Sequence, residues 1–404
     1  MINIAVMGYG TIGSGVVRVI DINGQSIAEK IGEELNVKYV LDLRDFPGDP
    51  VEKKIVHDVD IIMNDPDIKI VVETMGGVKP AYDFVKRALL AGKSVATSNK
   101  ELVAKHGTEL LEIAREKNIN FLFEASVGGG IPIIRPLNQC LTADEIYEIT
   151  GILNGTTNYI LTKMAKEGVD FEDVLKEAQA NGYAERNPAA DVEGYDACRK
   201  IAILSSLAYG SQVNYEDIHT EGITNITAVD FKYASKLGYS IKLFGTSKKK
   251  DGKFFALVAP VMINENHALY AVNDVFNGIL VKGNVIDQVM FYGRGAGSLP
   301  TASAVVADVI DAAKNLNNNV MMTWSSKKLE LSDISDDTKK FFVRIAGNKE
   351  DGKAKIEAAF GNVSYIVIDG LDEFAIITPV MSEAEYKKAA AKIDGIRSMI
   401  RVEE

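Results

Sequence analysis

INIAVMGYGTIGSGVVRVI, residues 2–20, sets an apolar strand and an apolar helix on either side of Gly8, Gly10 and Gly13, a G-x-G-x-x-G array with a fourth glycine at Gly15. A strand that turns through such glycines into a helix leaves the helix's first N–H groups without acceptors and facing a pyrophosphate. Gly8, Gly10, Thr11, Ile12 and Gly13 are therefore expected to contact a dinucleotide, provided that a βαβ unit surrounds them.

That context follows downstream. The helix is expected to end near residue 20, with a further polar helical stretch over 27–35 and a second strand over 37–43. Residues 68–73 read as a buried parallel strand, and Pro80 opens a helix over 81–91 at a favoured N-terminal position. A fourth strand, 94–97, precedes Asn99, Lys100 and a helix through Leu102, Leu110 and Leu111. A strand over 120–124 completes the run. Strands alternating with helices predict an α/β fold with a doubly wound parallel sheet of Rossmann type. The dinucleotide-binding domain is placed at 1–130, completed by a helix returning near 300–316.

Beyond it the pattern changes. Strands over 146–153, 254–263, 269–276 and 278–281 alternate more strongly, which predicts a second α+β domain over 131–300 with an antiparallel or mixed sheet. Residues 317–339 are polar enough for a linker. Residues 340–404 read strand, helix, strand, strand, helix, strand, the βαββαβ order of a ferredoxin-like unit.

Bulk properties narrow the function. Among 404 residues, 47% are hydrophobic and the formal net charge is −11, with no basic run longer than residues 248–250. This argues against nucleic acid or an anionic membrane as partner and favours a small metabolite. No stretch approaches the roughly twenty apolar residues of a membrane span, and no signal peptide is read. Only Cys140 and Cys198 are present, too few for a disulfide framework, so a cytoplasmic location is expected. His57, His106, His219 and His267 lack zinc-ligand spacing, and no transition-metal site is expected.

The chemistry concentrates in residues 182–200, which hold Glu185, Asp191, Glu193, Asp196 and Lys200. Asp196 and Lys200 stand four apart on a helix face that continues as Ile203 and Leu207, so both charges point toward packing. A partly desolvated lysine beside carboxylates can carry a proton; the bland alternative is a surface pair worth about a few tenths of a kcal/mol. Lys100 lies at the carboxyl edge of the sheet, where open α/β folds bind ligands. After the second strand come Asp42, Arg44 and Asp45. An acid there suits the ribose 2′-OH of NAD and an arginine the 2′-phosphate of NADP, so this reading leaves the cofactor open.

Four spaced segments carry a resemblance: EASVGGGIP (residues 124–132), GILNGTTNYIL (151–161), GYAERNPAADVEGYDACRK (182–200) and GRGAGSLPT (293–301). Through them the whole chain resembles homoserine dehydrogenases. The resemblance implies NAD(P)-dependent interconversion of L-homoserine and L-aspartate 4-semialdehyde, on the route to threonine, isoleucine and methionine. It implies that Lys200 transfers the proton, that Lys100 assists near substrate and nicotinamide, and that Glu185, Thr156, Asp191 and Asp196 bind substrate. It implies a monovalent cation, Na+, on the backbone carbonyls of Glu124, Val127, Gly129 and Ile131; the residues alone read as a tight turn needing positive φ. It further implies a homodimer or homotetramer, and an ACT-like regulatory domain over 340–404 with threonine as effector. Asn187 stands where the family usually has aspartate, and residues 348–352 depart from the ACT glycine turn.

Two rival readings make different demands on these residues. A phosphorylating semialdehyde dehydrogenase needs a cysteine nucleophile, but on a helix Cys198 points about 200° from Asp196, away from the charged face. A non-enzymatic redox sensor would bind cofactor without turnover and has no need of the lysine and carboxylate cluster.

Overall fold

The computed structural model describes residues 1–403. Two compact units share them: residues 1–145, 202–215 and 291–329 form the first, and residues 146–201, 216–290 and 330 onward the second. The order runs β1 (Ile2–Met7), α1 (Thr11–Ile31), β2 (Leu35–Leu41), β3 (Ile55–Val56), α2 (Val59–Asn64), β4 (Ile68–Glu73), α3 (Ala81–Leu90), β5 (Ser94–Thr97), α4 (Lys100–Glu116) and β6 (Phe121–Leu122). Next come β7 (Ile146–Ile152), α5 (Gly155–Glu167), α6 (Phe171–Ala180), α7 (Ala189–Val192), α8 (Tyr195–Tyr209), β8 (Ser211–Gln212), β9 (His219–Thr220), α9 (Ala228–Leu237), β10 (Tyr239–Lys250) and β11 (Lys253–Asn264). Then follow β12 (Phe276–Gly283), β13 (Asp287–Arg294), α10 (Ser298–Lys314), β14 (Ser325–Lys328), β15 (Thr338–Ala346), α11 (Lys349–Phe360), β16 (Ser364–Val367), β17 (Glu373–Ile377), β18 (Met381–Ser382), α12 (Glu383–Ala390) and β19 (Ile396–Glu403).

The first unit is a parallel sheet in the order β3-β2-β1-β4-β5-β6. The order reverses between β1 and β4, the switch point at which such sheets open a ligand crevice at their carboxyl ends. Ile4, Val6, Ile70 and Val72 are fully buried in its centre, each stabilising the fold by roughly 1.5–3 kcal/mol. Helices α1 and α10 pack closely because Gly15 has no side chain: a Cβ there would stand 2.8 Å from Ser298 Oγ and 3.0 Å from the Ala302 Cβ.

Several boundaries differ from the expected ones. Helix α1 does not end near residue 20. Ile20 and Ile27 lie two turns apart on one buried stripe, so the polar residues between them ride the outer face, and the helix stops only at Gly32, φ 81°. Strand β2 spans Leu35–Leu41 rather than 37–43, because Asp42 turns back to accept the N–H of Tyr9. The short β3 makes Lys100 follow the fifth strand, not the fourth. Strand β6 keeps only two residues, since Glu124–Ser126 coil so that the Glu124 carboxylate accepts the N–H groups of Ile133, Ile134 and Arg135. Within the polar stretch 317–339, β14 pairs in parallel with β8, and Trp324 donates Nε1 to Gln212.

The second unit is built on a mixed sheet ordered β13-β12-β7-β10-β11-β19-β15-β17-β16, with β9 beside β11 and β18 beside β15. Residues 269–276, expected as a strand, instead form turns that lay Leu269 and Val272 on Ile152, Phe244 and Leu280. Their apolar character serves to cover a sheet face, not to pair within it. Strand β10, not anticipated, is buried on both faces despite its lysines. Lys242 donates to the Val272 carbonyl (2.6 Å) and Asn273 Oδ1 (2.8 Å), and burial pulls its pKa down to about 8.

Strands β19-β15-β17-β16 are mutually antiparallel, the ferredoxin-like arrangement, over a core of Phe341, Val343, Ile356, Phe360, Phe374 and Tyr386. On its other side β19 pairs in parallel with β11, Val261 opposite Arg401 and Ile263 opposite Glu403. Buried Arg344 adds bonds to Asp230, Thr227 and Glu373.

Candidate active site

In the first unit the glycine turn is as tight as its sequence implies. Gly8 has φ 97°, and a Cβ on Gly13 would stand 1.8 Å from the Gly8 carbonyl oxygen, a position no side chain can take. Gly10 has nothing within 4 Å of where its Cβ would be, which leaves open room above the turn. As the α1 N-cap Gly10 offers no side-chain acceptor, so the N–H groups of Thr11, Ile12 and Gly13 are left to a ligand. The turn lines a cleft of about 490 Å³ shared with Asp42, Arg44, His57 and Thr74.

Asp42 and Arg44 meet on one side of this cleft. The Asp42 carboxylate accepts Arg44 Nε (2.9 Å), Arg44 Nη2 (3.0 Å) and the N–H groups of Tyr9 (2.8 Å) and Arg44 (3.0 Å). The side-chain bond from Arg44 is the main reason the acid lies well below the ordinary carboxylate range. His57 rests its Nδ1 2.7 Å from the Asp42 carbonyl, which pushes its pKa up.

At the end of β4, buried Glu73 accepts Thr97 Oγ1 (2.6 Å) and the N–H groups of Met75 (2.7 Å) and Gly76 (3.2 Å), and its burial raises its pKa. Thr97 in turn accepts the N–H of Asn99, whose side chain caps α4 at Leu102 and donates to the Gly77 carbonyl. Lys100, the first residue of α4, is thus presented half-buried by a network that sequence reading did not identify.

In the second unit Lys200 and Asp196 lie on α8, 9% and 5% exposed. Lys200 Nζ donates to Asp196 Oδ2 (2.8 Å) and to the Leu153 carbonyl (2.7 Å). An ammonium has three N–H groups, so one remains for an oxygen of a bound molecule. This is a buried pair rather than the exposed bridge of the bland alternative. Asn154 ties the cluster together: Nδ2 donates to Asp191 Oδ1 (2.7 Å) and Asp196 Oδ2 (2.9 Å), while Oδ1 caps α5 at Thr157. Sequence reading missed Asn154, although Asn followed by Gly-Thr-Thr is a helix-start signal at the end of a strand.

Thr156 lies in the first turn of α5, and Glu185 lies in the loop that follows α6. Thr156 Oγ1 donates to the Tyr183 carbonyl (2.8 Å), and the Tyr183 ring meets Tyr159 at 4.8 Å, which anchors the loop bearing Glu185. Glu185 itself is exposed, its carboxylate without a bonded partner among the described residues. Cys198 is buried and bonded to Thr220, and burial raises its thiol pKa, the reverse of what a thioester nucleophile needs.

The glycine loop 124–131 lies in the first unit. A Cβ on Gly128 would stand 2.2 Å from the Ile131 carbonyl oxygen, and Gly129 has φ 57°. Among the described residues no three His, Cys, Asp or Glu side chains gather as metal ligands, and no helix is long and apolar enough to cross a membrane.

Comparison with known proteins agrees in both units. The family model for the homoserine dehydrogenase NAD binding domain matches residues 8–124, and that for homoserine dehydrogenase matches 132–310. A homoserine dehydrogenase from Synechocystis is 40% identical, with 98% of this chain and 97% of the relative covered. The crystal structure of one from Thiobacillus denitrificans superposes with a TM-score of 0.90 at 34% identity, covering 100% of this chain and 98% of that one. A hyperthermophilic archaeal homoserine dehydrogenase in complex with NADPH matches 77% of this chain and 97% of its own, at 29% identity and a TM-score of 0.66. With a glycine turn shaped for a dinucleotide, a lysine held by a buried carboxylate, and relatives aligned from end to end, the chain belongs to the homoserine dehydrogenase family.

Proposed function

We propose that this enzyme interconverts L-homoserine and L-aspartate 4-semialdehyde with Lys200 as the proton-transfer group. The observation that carries the reading is the Lys200 ammonium, with two N–H groups committed to Asp196 and the Leu153 carbonyl and one left for the carbinol oxygen. A bound nicotinamide supplies the hydride acceptor. Glu185 pairs with the substrate ammonium, Thr156 and Asp191 complete the polar pocket, and Asp196 keeps Lys200 in place. Lys100 assists at the carboxyl edge of the first unit's sheet.

NADP(H) is the cofactor better supported by the residues. The Asp42 carboxylate is already engaged by four donors, whereas Arg44 is an exposed cation beside the cleft with His57 near it. The NADPH bound by the archaeal relative agrees. Assayed with homoserine, Arg44→Ala is expected to lose about tenfold in kcat/KM with NADP, one charge-assisted hydrogen bond, and little with NAD. Equal losses with both cofactors would remove Arg44 from phosphate recognition.

The carbonyls of Glu124, Val127, Gly129 and Ile131 fit a sodium ion that stiffens this loop; Gly128 leaves the Ile131 oxygen the room a side chain would fill. Residues 340–404 fit an ACT-like regulatory domain after a linker at 317–339, with threonine as effector. Calorimetric titration of threonine into the whole chain checks this, and absence of heat and of inhibition refutes it. We assign residues 1–130 with the returning helix to the cofactor and 131–300 to substrate and dimerisation, in a cytoplasmic homodimer or homotetramer.

A further inference from the structure

Arg401 on β19 is 1% exposed and holds two carboxylates. Both of its terminal nitrogens bond Glu221 at 2.8 Å, and Nε and Nη2 bond Glu383 at 2.9–3.2 Å. Burial by itself would raise Glu221, but Arg401 and the His219 ring, 2.7 Å away, outweigh it and hold the acid at about 2.

What Glu221 is attached to gives the clamp its meaning. A Cβ on the next residue, Gly222, would stand 2.2 Å from the Val192 carbonyl oxygen and 2.6 Å from Glu193 Cα. Ile223 donates its N–H to that same carbonyl at 2.8 Å. From the other side Gly194, φ 83°, would place a Cβ 3.3 Å from the Glu221 carbonyl oxygen. The backbones of residues 221–223 and 192–194 are thus packed directly against each other, with the Thr220 and Val258 side chains 3.1 Å from the same Gly194 position. The 192–194 turn separates Asp191 from Asp196, the two carboxylates joined by Asn154, and Asp196 holds Lys200.

We propose that Arg401 and Glu221 are positioning residues for the reaction: their bond fixes the 192–194 turn and, through it, the Asp196–Lys200 pair. The inference rests on the role of Lys200 given above. It places control of the proton-transfer lysine in a strand of the ferredoxin-like part, some two hundred positions along the chain.

The fold supplies a control. Arg344 is also buried in this part of the unit, yet its partners are Thr227, Asp230 and Glu373, none of them on the 192–194 turn or the segment against it. Arg401→Lys and Glu221→Gln are each expected to lower kcat for homoserine roughly tenfold and to shift the pH profile of kcat, with the KM for NADP unchanged. Because both act on one path, the double variant should be no slower than the worse single. Arg344→Lys should lower the melting temperature while keeping the wild-type kcat and pH profile. Unchanged kcat and pH profile in folded Glu221→Gln overturns the inference, even if Arg401→Lys does not fold, and so does an equal loss of kcat in Arg344→Lys. Lys200→Ala is assayed beside them: normal turnover there sinks the Lys200 reading and this inference together, whereas an inactive Lys200→Ala with a normal Glu221→Gln sinks this inference alone.

Discussion

Lys200→Ala is expected to oxidise homoserine about 10² to 10⁴ times more slowly than the unmodified enzyme, the range of a lost general acid-base group, while binding NADP with the same affinity. The split follows from location: Lys200 and both of its partners belong to the second unit, and the glycine turn to the first. One complication is built in. Removing the ammonium leaves Asp196 buried without its cation, which can cost about 3–5 kcal/mol of stability. Melting temperatures should therefore accompany the kinetics, and Lys200→Ala/Asp196→Asn should recover stability without recovering turnover. Near-normal turnover in the folded single variant would take Lys200 out of the reaction.

Gly13→Ala should raise the dissociation constants for NADP and NAD alike, by up to about 100-fold. The added methyl would need the space of the Gly8 carbonyl oxygen, 1.8 Å away, so the turn must open. Overpacking on this scale costs up to about 3 kcal/mol, and each 1.4 kcal/mol is about tenfold in affinity. Because NAD and NADP share the pyrophosphate that this turn would hold, the ratio of the two cofactors should stay near its wild-type value. Gly10→Ala, with open space at its Cβ, is expected to disturb the apo fold less. A Gly13→Ala protein binding either cofactor normally would show that the turn does not hold the dinucleotide.

How much of this could be read in advance follows the range of the interactions. Gly8, Gly10 and Gly13 were legible because each reports a local backbone demand, and the geometry meets it. Asp196 and Lys200 were legible because four residues is one helical turn. Asn154 was not: it reads as an ordinary helix cap, and its two carboxylate partners come from positions 37 and 42 residues further on. Glu73 was hidden in the same way, as an acid closing a largely apolar strand, with partners Thr97 and Asn99 at the next strand's end. Strand β10 escaped notice because its lysines suggest solvent, while Lys242 spends its charge on carbonyls and Lys248 on Asp337. The opposite error arose at residues 269–276, whose apolar side chains signal burial but carry no information about pairing.

The place of β19 bears on how the protein is made. It stands between β11 and β15, so the sheet's two halves meet only through a strand that lies downstream of all the others. A ribosome releasing the chain from its amino end can complete the parallel nucleotide sheet early, but β11 beyond its short pairing with β9, residues 261–263, must wait unpaired on that side until residues 396–403 emerge. Shortening the gene before that point would leave the same edge open to a neighbouring chain and invite aggregates. Changes to this part of the chain are therefore better made at single side chains than by trimming.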